Sequence, residues 1–152
     1  MNTIRHLKQA VLAAGAVLAI SQLIRPARTN PPVDAQKTLA ATAHPPANVV
    51  ATLNRACGDC HSSQTKWPWY TNVAPVSWWI VDHVNEGRRR VSFSEWADYD
   101  TGRKLKELDQ ICQRVERHNM PLTSYLLIHS HARLSDQDRQ AICDWTRAEE
   151  KS

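Results

Sequence analysis

Hydrophobic positions divide the chain into stretches of different period. Ala10 to Ile20 is an unbroken apolar run, extended past Ser21 and Gln22 to Leu23 and Ile24. Residues 25–46 lose all period and gather Pro26, Pro31, Pro32, Pro45 and Pro46. Helical spacing then returns. Val49, Val50, Leu53 and Ala56 repeat at intervals of three and four, which predicts a helix opening near Pro45-Pro46 and delivering the chain into Cys57. Pro75 predicts the start of a second helix, running through Val84 and closed by Gly87 as a C-cap. A third is predicted from about Thr101 to His118, with Leu105, Leu108, Ile111, Cys112 and Val115 on one face. After the break at Asn119-Met120-Pro121, Tyr125–Leu127 suggests a short helix. Ser135-x-x-Asp138, close to a capping box with Asp in place of Glu, opens a last one containing Ala141, Ile142 and Trp145. No run has the period of a strand, and no Gly-rich phosphate loop or internal repeat occurs. The expected fold is all-α.

These stretches give a domain plan of an apolar segment at 1–24, a Pro-rich linker at 25–44 and one folded domain at 45–150. At 152 residues the chain has room for one modest core. The apolar run is short for about 30 Å of hydrocarbon, which takes ~20 residues. It suits a signal peptide, or an anchor with Lys8 and Arg25 snorkelling at its ends. No small-x-small cleavage site follows closely: Arg25-Pro26-Ala27-Arg28 offers none, and Ala41-Thr42-Ala43 lies too far on. An uncleaved anchor is the reading adopted, with a signal cleaved in the periplasm as the alternative. Prolines fix φ and remove donors, so the linker is expected to be an extended stalk.

Charge narrows the partners. Four of the 19 basic residues (Arg5, Lys8, Arg25 and Arg28) stand in the first 30 positions, where there is no acid, which leaves 15 basic against 15 acidic residues beyond. Nucleic-acid binding needs a concentrated basic face, and a neutral body does not supply one.

The chemistry lies in Cys57-Gly58-Asp59-Cys60-His61. Two cysteines three apart with histidine directly after form the c-type haem attachment pattern. Each thiol can add to one haem vinyl group, and the tether then holds His61 under the iron as proximal ligand. A zinc site would want a second close pair, whereas Cys112 and Cys143 are singletons. A thioredoxin-like pair would want a βαβ setting, which the helical flanks do not offer. Bacterial c-type haem is attached outside the cytoplasmic membrane, which places the domain in the periplasm.

Five of the six tryptophans fall between Trp67 and Trp96. Such density makes either a plain core or the wall of an apolar cofactor site. Next to a haem motif the two readings merge, and Trp67 and Trp79 are the candidates for contact. Arg88, in Arg88-Arg89-Arg90, is read either as a partner for a haem propionate or as part of a solvated turn.

Met120, in its proline-marked break, is the candidate sixth ligand, since a thioether closes the iron and suits electron transfer. It could equally fill a gap in the core. His83, His118, His129 and His131 are the competing imidazoles. In an oxidising compartment Cys112 and Cys143, on helices expected to pack together, are candidates for a disulfide closing about 30 residues.

Several of these segments together are similar to the bacterial haem-binding-domain family of small cytochrome-c-like proteins. They are Cys57-x-x-Cys60-His61-Ser62, Trp67-Pro68-Trp69-Tyr70, Ala74-Pro75-Val76-Ser77-Trp78-Trp79, Gly87-Arg88, Phe93-Ser94-x-Trp96, Met120-Pro121 and Ala132-x-Leu134-Ser135. The likeness covers about residues 20 to 148. It implies one covalent haem c, hence iron, in a cytochrome-c-like helical domain on a membrane anchor. The function expected is that of a non-enzymatic electron carrier, tethered to the inner membrane and exchanging one electron with redox proteins there. The alternative is a haem enzyme or sensor with an exchangeable distal site, although no distal His/Arg pair at a recognisable spacing supports peroxide cleavage.

Overall fold

A computed structural model describes residues 2–151. Among them there are eight α-helices, four short 3-10 turns and no strand. The all-α expectation holds. The α-helices are α1 (Asn2–Ser21), α2 (Leu39–Thr42), α3 (Ala47–Ala56), α4 (Gly58–His61), α5 (Val76–Arg90), α6 (Thr101–Glu116), α7 (Thr123–Leu126) and α8 (Asp136–Glu149). The chain divides into two compact units, one of Met1–Thr29 with Lys66–His83, the other of Asn30–Thr65 with Val84–Ser152. The Trp-rich stretch groups with the N-terminal segment.

In the first unit α1 is 20 residues long, apolar enough to cross a membrane, and buries none of its side chains. A membrane span and a signal sequence share that description.

In the second unit the periodic helices form the core. Val49, Thr52, Leu53 and Ala56 of α3 are buried, as the three-four spacing requires. They join Leu108, Cys112 and Val115 of α6 and Ile142, Cys143 and Trp145 of α8. Cys112 and Cys143 form a disulfide with Cα atoms 4.8 Å apart, so the pairing expected between α6 and α8 is present. Ser135 caps α8 in a full capping box, in which Asp138 returns the bond to the Ser135 backbone. Asp138 also accepts from Thr52 and pairs with Arg55 at 3.2 Å, which ties the start of α8 to α3.

Two expectations need correction. The stretch 25–44 is extended only in its first part. Thr38 caps α2, and Leu39 and Ala43 are buried in the core of the second unit. The Leu39 amide donates to Phe93 O at 2.8 Å. Proline content masks this helical turn, whose apolar residues are few but fully covered. Nor does Gly87 end a helix: α5 continues through it to Arg90.

Candidate functional site

Residues 57–61 make one tight turn at the end of α3. The Cys60 and His61 amides both donate to Cys57 O, at 3.1 and 2.9 Å, so the two cysteines and the histidine share a single turn. Cys57 and Cys60 are the free cysteines, the other two being joined to each other.

Backbone carbonyls fix the His61 ring. Nδ1 lies 3.1 Å from Gly87 O and 3.1 Å from Val91 O. A carbonyl oxygen only accepts, so Nδ1 carries the proton and Nε2 keeps the lone pair that a metal needs. Phe93 stacks on the imidazole at 5.7 Å between centroids, and its amide donates to His61 O at 2.7 Å. Burial lowers the His61 pKa, opposed by the two carbonyls, and the lowering keeps the ring in the neutral form that binds metal.

The conformation of α5 depends on Gly87. A Cβ there would stand 2.6 Å from Cys60 O and 3.2 Å from Cys60 Cβ. Any other residue would push α5 off the cysteine turn, and the carbonyl at 87 would leave His61 with it. Gly87 is thus a close-approach glycine.

The thiols are shifted in the direction opposite to reactive cysteines. Loss of solvent, then the neighbouring Cys60, pushes Cys57 up to about 12. Loss of solvent, then Asp59, pushes Cys60 up to about 11. Thiol exchange needs thiolate, which this burial disfavours. The donor set, two thiols on one turn and an imidazole with Nε2 unprotonated, fits a haem.

Side chains brace the turn from several directions. Thr65 Oγ1 donates to Asp59 O at 2.6 Å, and Tyr125 Oη on α7 donates to Asp59 Oδ2 at 2.7 Å. Arg88 donates from Nε to Ser62 O at 2.8 Å and from Nη2 to Thr65 Oγ1 at 2.7 Å and Asn30 Oδ1 at 2.9 Å.

A family model for the haem-binding domain matches residues 16–148. The chain belongs to that family. No curated protein and no solved structure matches it. The family match covers the cysteine turn, the Trp-rich stretch, Met120 and both disulfide cysteines of this haem-binding domain.

The other candidate residues are placed as follows. Met120 lies in the same unit as His61, directly after α6, with its side chain partly exposed. It helps line a cavity of about 470 Å³ whose walls include Pro121, Leu126, Leu134, Arg133 and Arg139. Cys57, Cys60 and His61 are not among those walls. Trp67 and Trp79 belong to the first unit, where Trp79 is half exposed and packs against His83 at 4.3 Å. Of the competing imidazoles, His129 stacks on Tyr125 at 4.0 Å and stands edge-on to His131.

Sequence reasoning did not single out Asp59, Thr65, Val91 or Tyr125 as parts of the site. Backbone acceptors such as Val91 O leave no signature in residue type. Gly87 stood among the residues that carry the family resemblance, but its role depends on a contact distant in sequence.

Proposed function

We propose that this haem-binding protein is a c-type monohaem electron carrier, held outside the cytoplasmic membrane by α1. Cys57 and Cys60 would carry the two thioethers. Each S–H would add across a haem vinyl double bond, which needs no oxidant. His61 Nε2 and Met120 Sδ would hold the iron. When bound, haem supplies a one-electron iron couple, and the chain's residues need only hold and insulate it. His61 cannot rotate without losing two hydrogen bonds, which keeps its lone pair aimed one way. The reading assigns no catalytic acid or base. The partners are redox proteins at the membrane.

The observation that carries the proposal is the His61 ring, held by Gly87 O and Val91 O on the turn that bears both free thiols. Arg88, in the same unit as His61, enters the reading as a neighbour of the group. The hydrogen bonds of Arg88 to Ser62, Thr65 and Asn30 support a bracing role for it. An exchangeable distal site is the second reading, favoured by the cavity that Met120 lines.

One set of spectra tests both. Protein matured with the haem-attachment machinery should keep its haem on denaturation, and a Cys57→Ala/Cys60→Ala variant should not. Haem that washes out of the denatured parent protein would overturn covalent attachment. Low-spin bands with a near-infrared sulfur-to-iron band, unchanged by carbon monoxide, would favour the carrier. A shift on adding carbon monoxide would favour the exchangeable site. Met120→Ala should abolish the near-infrared band and lower the potential. Survival of the band would rule out Met120 as ligand.

A further inference from the structure

The unit formed by Met1–Thr29 and Lys66–His83 carries an exposed apolar surface. The chain just beyond α1 is not a free tether. Gln22 Nε2 donates to Ala74 O at 3.1 Å, and the Ala74 amide donates back to Gln22 Oε1 at 3.0 Å. Trp78 Nε1 donates to Ile24 O at 2.7 Å. The Arg28 guanidinium bonds to Asn72 and to Thr71. Three consecutive contacts thus fasten the end of a membrane-length helix to the 3-10 turn Trp69–Asn72 and the first turns of α5. The family match likewise begins at residue 16, inside α1.

This junction exposes large apolar side chains. Leu23 and Ile24 are largely open, Trp69 is 77% exposed and Trp79 49%, and Val73 and Val76 are also exposed. Val76 and Trp79 are three apart on α5 and share a face. An exposed apolar patch of this kind marks a contact surface. Its composition selects the partner, because tryptophan concentrates where one end of the ring can be dry and the other wet, at the membrane–water interface. Charge agrees. Residues 22–29 and 66–83 hold Arg25, Arg28 and Lys66 against the single acid Asp82, which suits anionic headgroups.

We propose that Trp69–Trp79 is a membrane-seating segment, resting at the boundary of lipid headgroups and acyl chains beside the emerging end of α1. The inference rests on reading α1 as a retained span. The hydrogen bonds of Gln22, Ile24 and Arg28 support retention, since removing the apolar segment through Ile24 would break two of the three contacts.

The test uses the full-length, haem-loaded chain in vesicles of phosphatidylethanolamine and phosphatidylglycerol. These carry a phosphatidylcholine with a diazirine near its acyl carbonyl, and adducts are mapped by mass spectrometry after illumination. Leu127 and Ile128 are comparably exposed but belong to the other unit, and serve as the reference. Adducts should appear on α1 and, several-fold above the reference, on peptides containing Trp69 and Trp79. A Trp69→Ser/Trp79→Ser variant should lose the second set and keep the first. Adducts on α1 alone would overturn the proposal and leave the anchor standing, with a protein partner then the occupant of the patch. Equal labelling of Leu127 and Ile128 would overturn it as well. Absence of adducts everywhere would remove the anchor reading itself. Because the parent chain alone distinguishes these outcomes, the test survives if the variant fails to fold.

Discussion

The two proposed iron ligands sit in contrasting surroundings. His61 is held from all sides: Nδ1 by two carbonyls, the ring face by Phe93, the backbone by the helical turn it closes. Met120 follows a helix terminus instead. His118 takes a left-handed φ of 55°, and the Asn119 and Met120 amides both donate to Arg114 O, at 3.0 and 3.2 Å. That arrangement positions the Met120 backbone and leaves its side chain beside a cavity. An imidazole held by two hydrogen bonds resists displacement, while a thioether on a loop end can swing away at smaller cost. On the proposed reading the His61 side is the rigid one and the Met120 side the more easily displaced.

The disulfide offers the largest break in that contrast. It joins α6 to α8, the helices on either side of the Met120 loop, across a sequence separation of 31. In the chain-entropy model such a loop contributes roughly 3–4 kcal/mol. The Cys112→Ala/Cys143→Ala variant should therefore lower the thermal midpoint by about 10 °C. It should weaken the near-infrared methionine band while covalent haem is retained. An unchanged midpoint would show that α6 and α8 hold together without the bond.

Gly87→Ala attacks the other side. A methyl 2.6 Å from a backbone oxygen must displace α4 or α5. Overpacking of this kind costs about 1–3 kcal/mol. With the carbonyls displaced, Nδ1–H donates less strongly, the imidazole becomes a poorer donor to ferric iron, and the potential should rise. Redox titration reads that shift, and Gly15→Ala, where nothing lies within 4 Å, is the control. A potential equal to that of the parent protein would mean that the contact does not orient His61.

Gly87 also shows where the sequence stops being legible. A helix-stop rule reads glycine after a periodic run as a cap, but here the cause is another backbone passing close by, which no local pattern encodes. The cysteine turn was legible because its chemistry is local, and α3 because its period is. The α6–α8 disulfide followed from apolar faces and compartment together. Leu39–Ala43 was hidden by the prolines around it. The Trp-rich stretch is ambiguous for a physical reason: a core, a cofactor wall and a membrane interface all favour the same side chains.

Acid should weaken the α3–α8 junction. The Ser135 backbone, above all, and then the Ser135 and Thr52 hydroxyls and Arg55 hold the Asp138 carboxyl below its ordinary range, partly offset by burial. A folded pKa below the unfolded value, about 3.9, stabilises the fold fully above that value. The contribution is lost as pH falls from there through the folded pKa. Asp138→Asn should cost about 1 kcal/mol near neutrality and flatten the acid limb of a stability-against-pH curve. An acid limb identical to that of the parent chain would place the acid-sensitive group elsewhere.

The smallest effect expected is at the helix end that presents Met120. Asn119 N to Arg114 O and His118 N to Val115 O form the bond pair of a helix terminus whose left-handed position usually holds glycine. Histidine at φ 55° carries a steric cost from its Cβ of about 1 kcal/mol, which glycine would relieve. Glycine also loses more freedom on folding, so His118→Gly should gain only about 0.5 kcal/mol net. Its value is diagnostic. If the Met120 loop is positioned by its backbone, this variant should stabilise the fold and leave the near-infrared band and the potential unchanged. A loss of that band would show that the His118 side chain, which also lines the cavity, helps to hold the thioether in place.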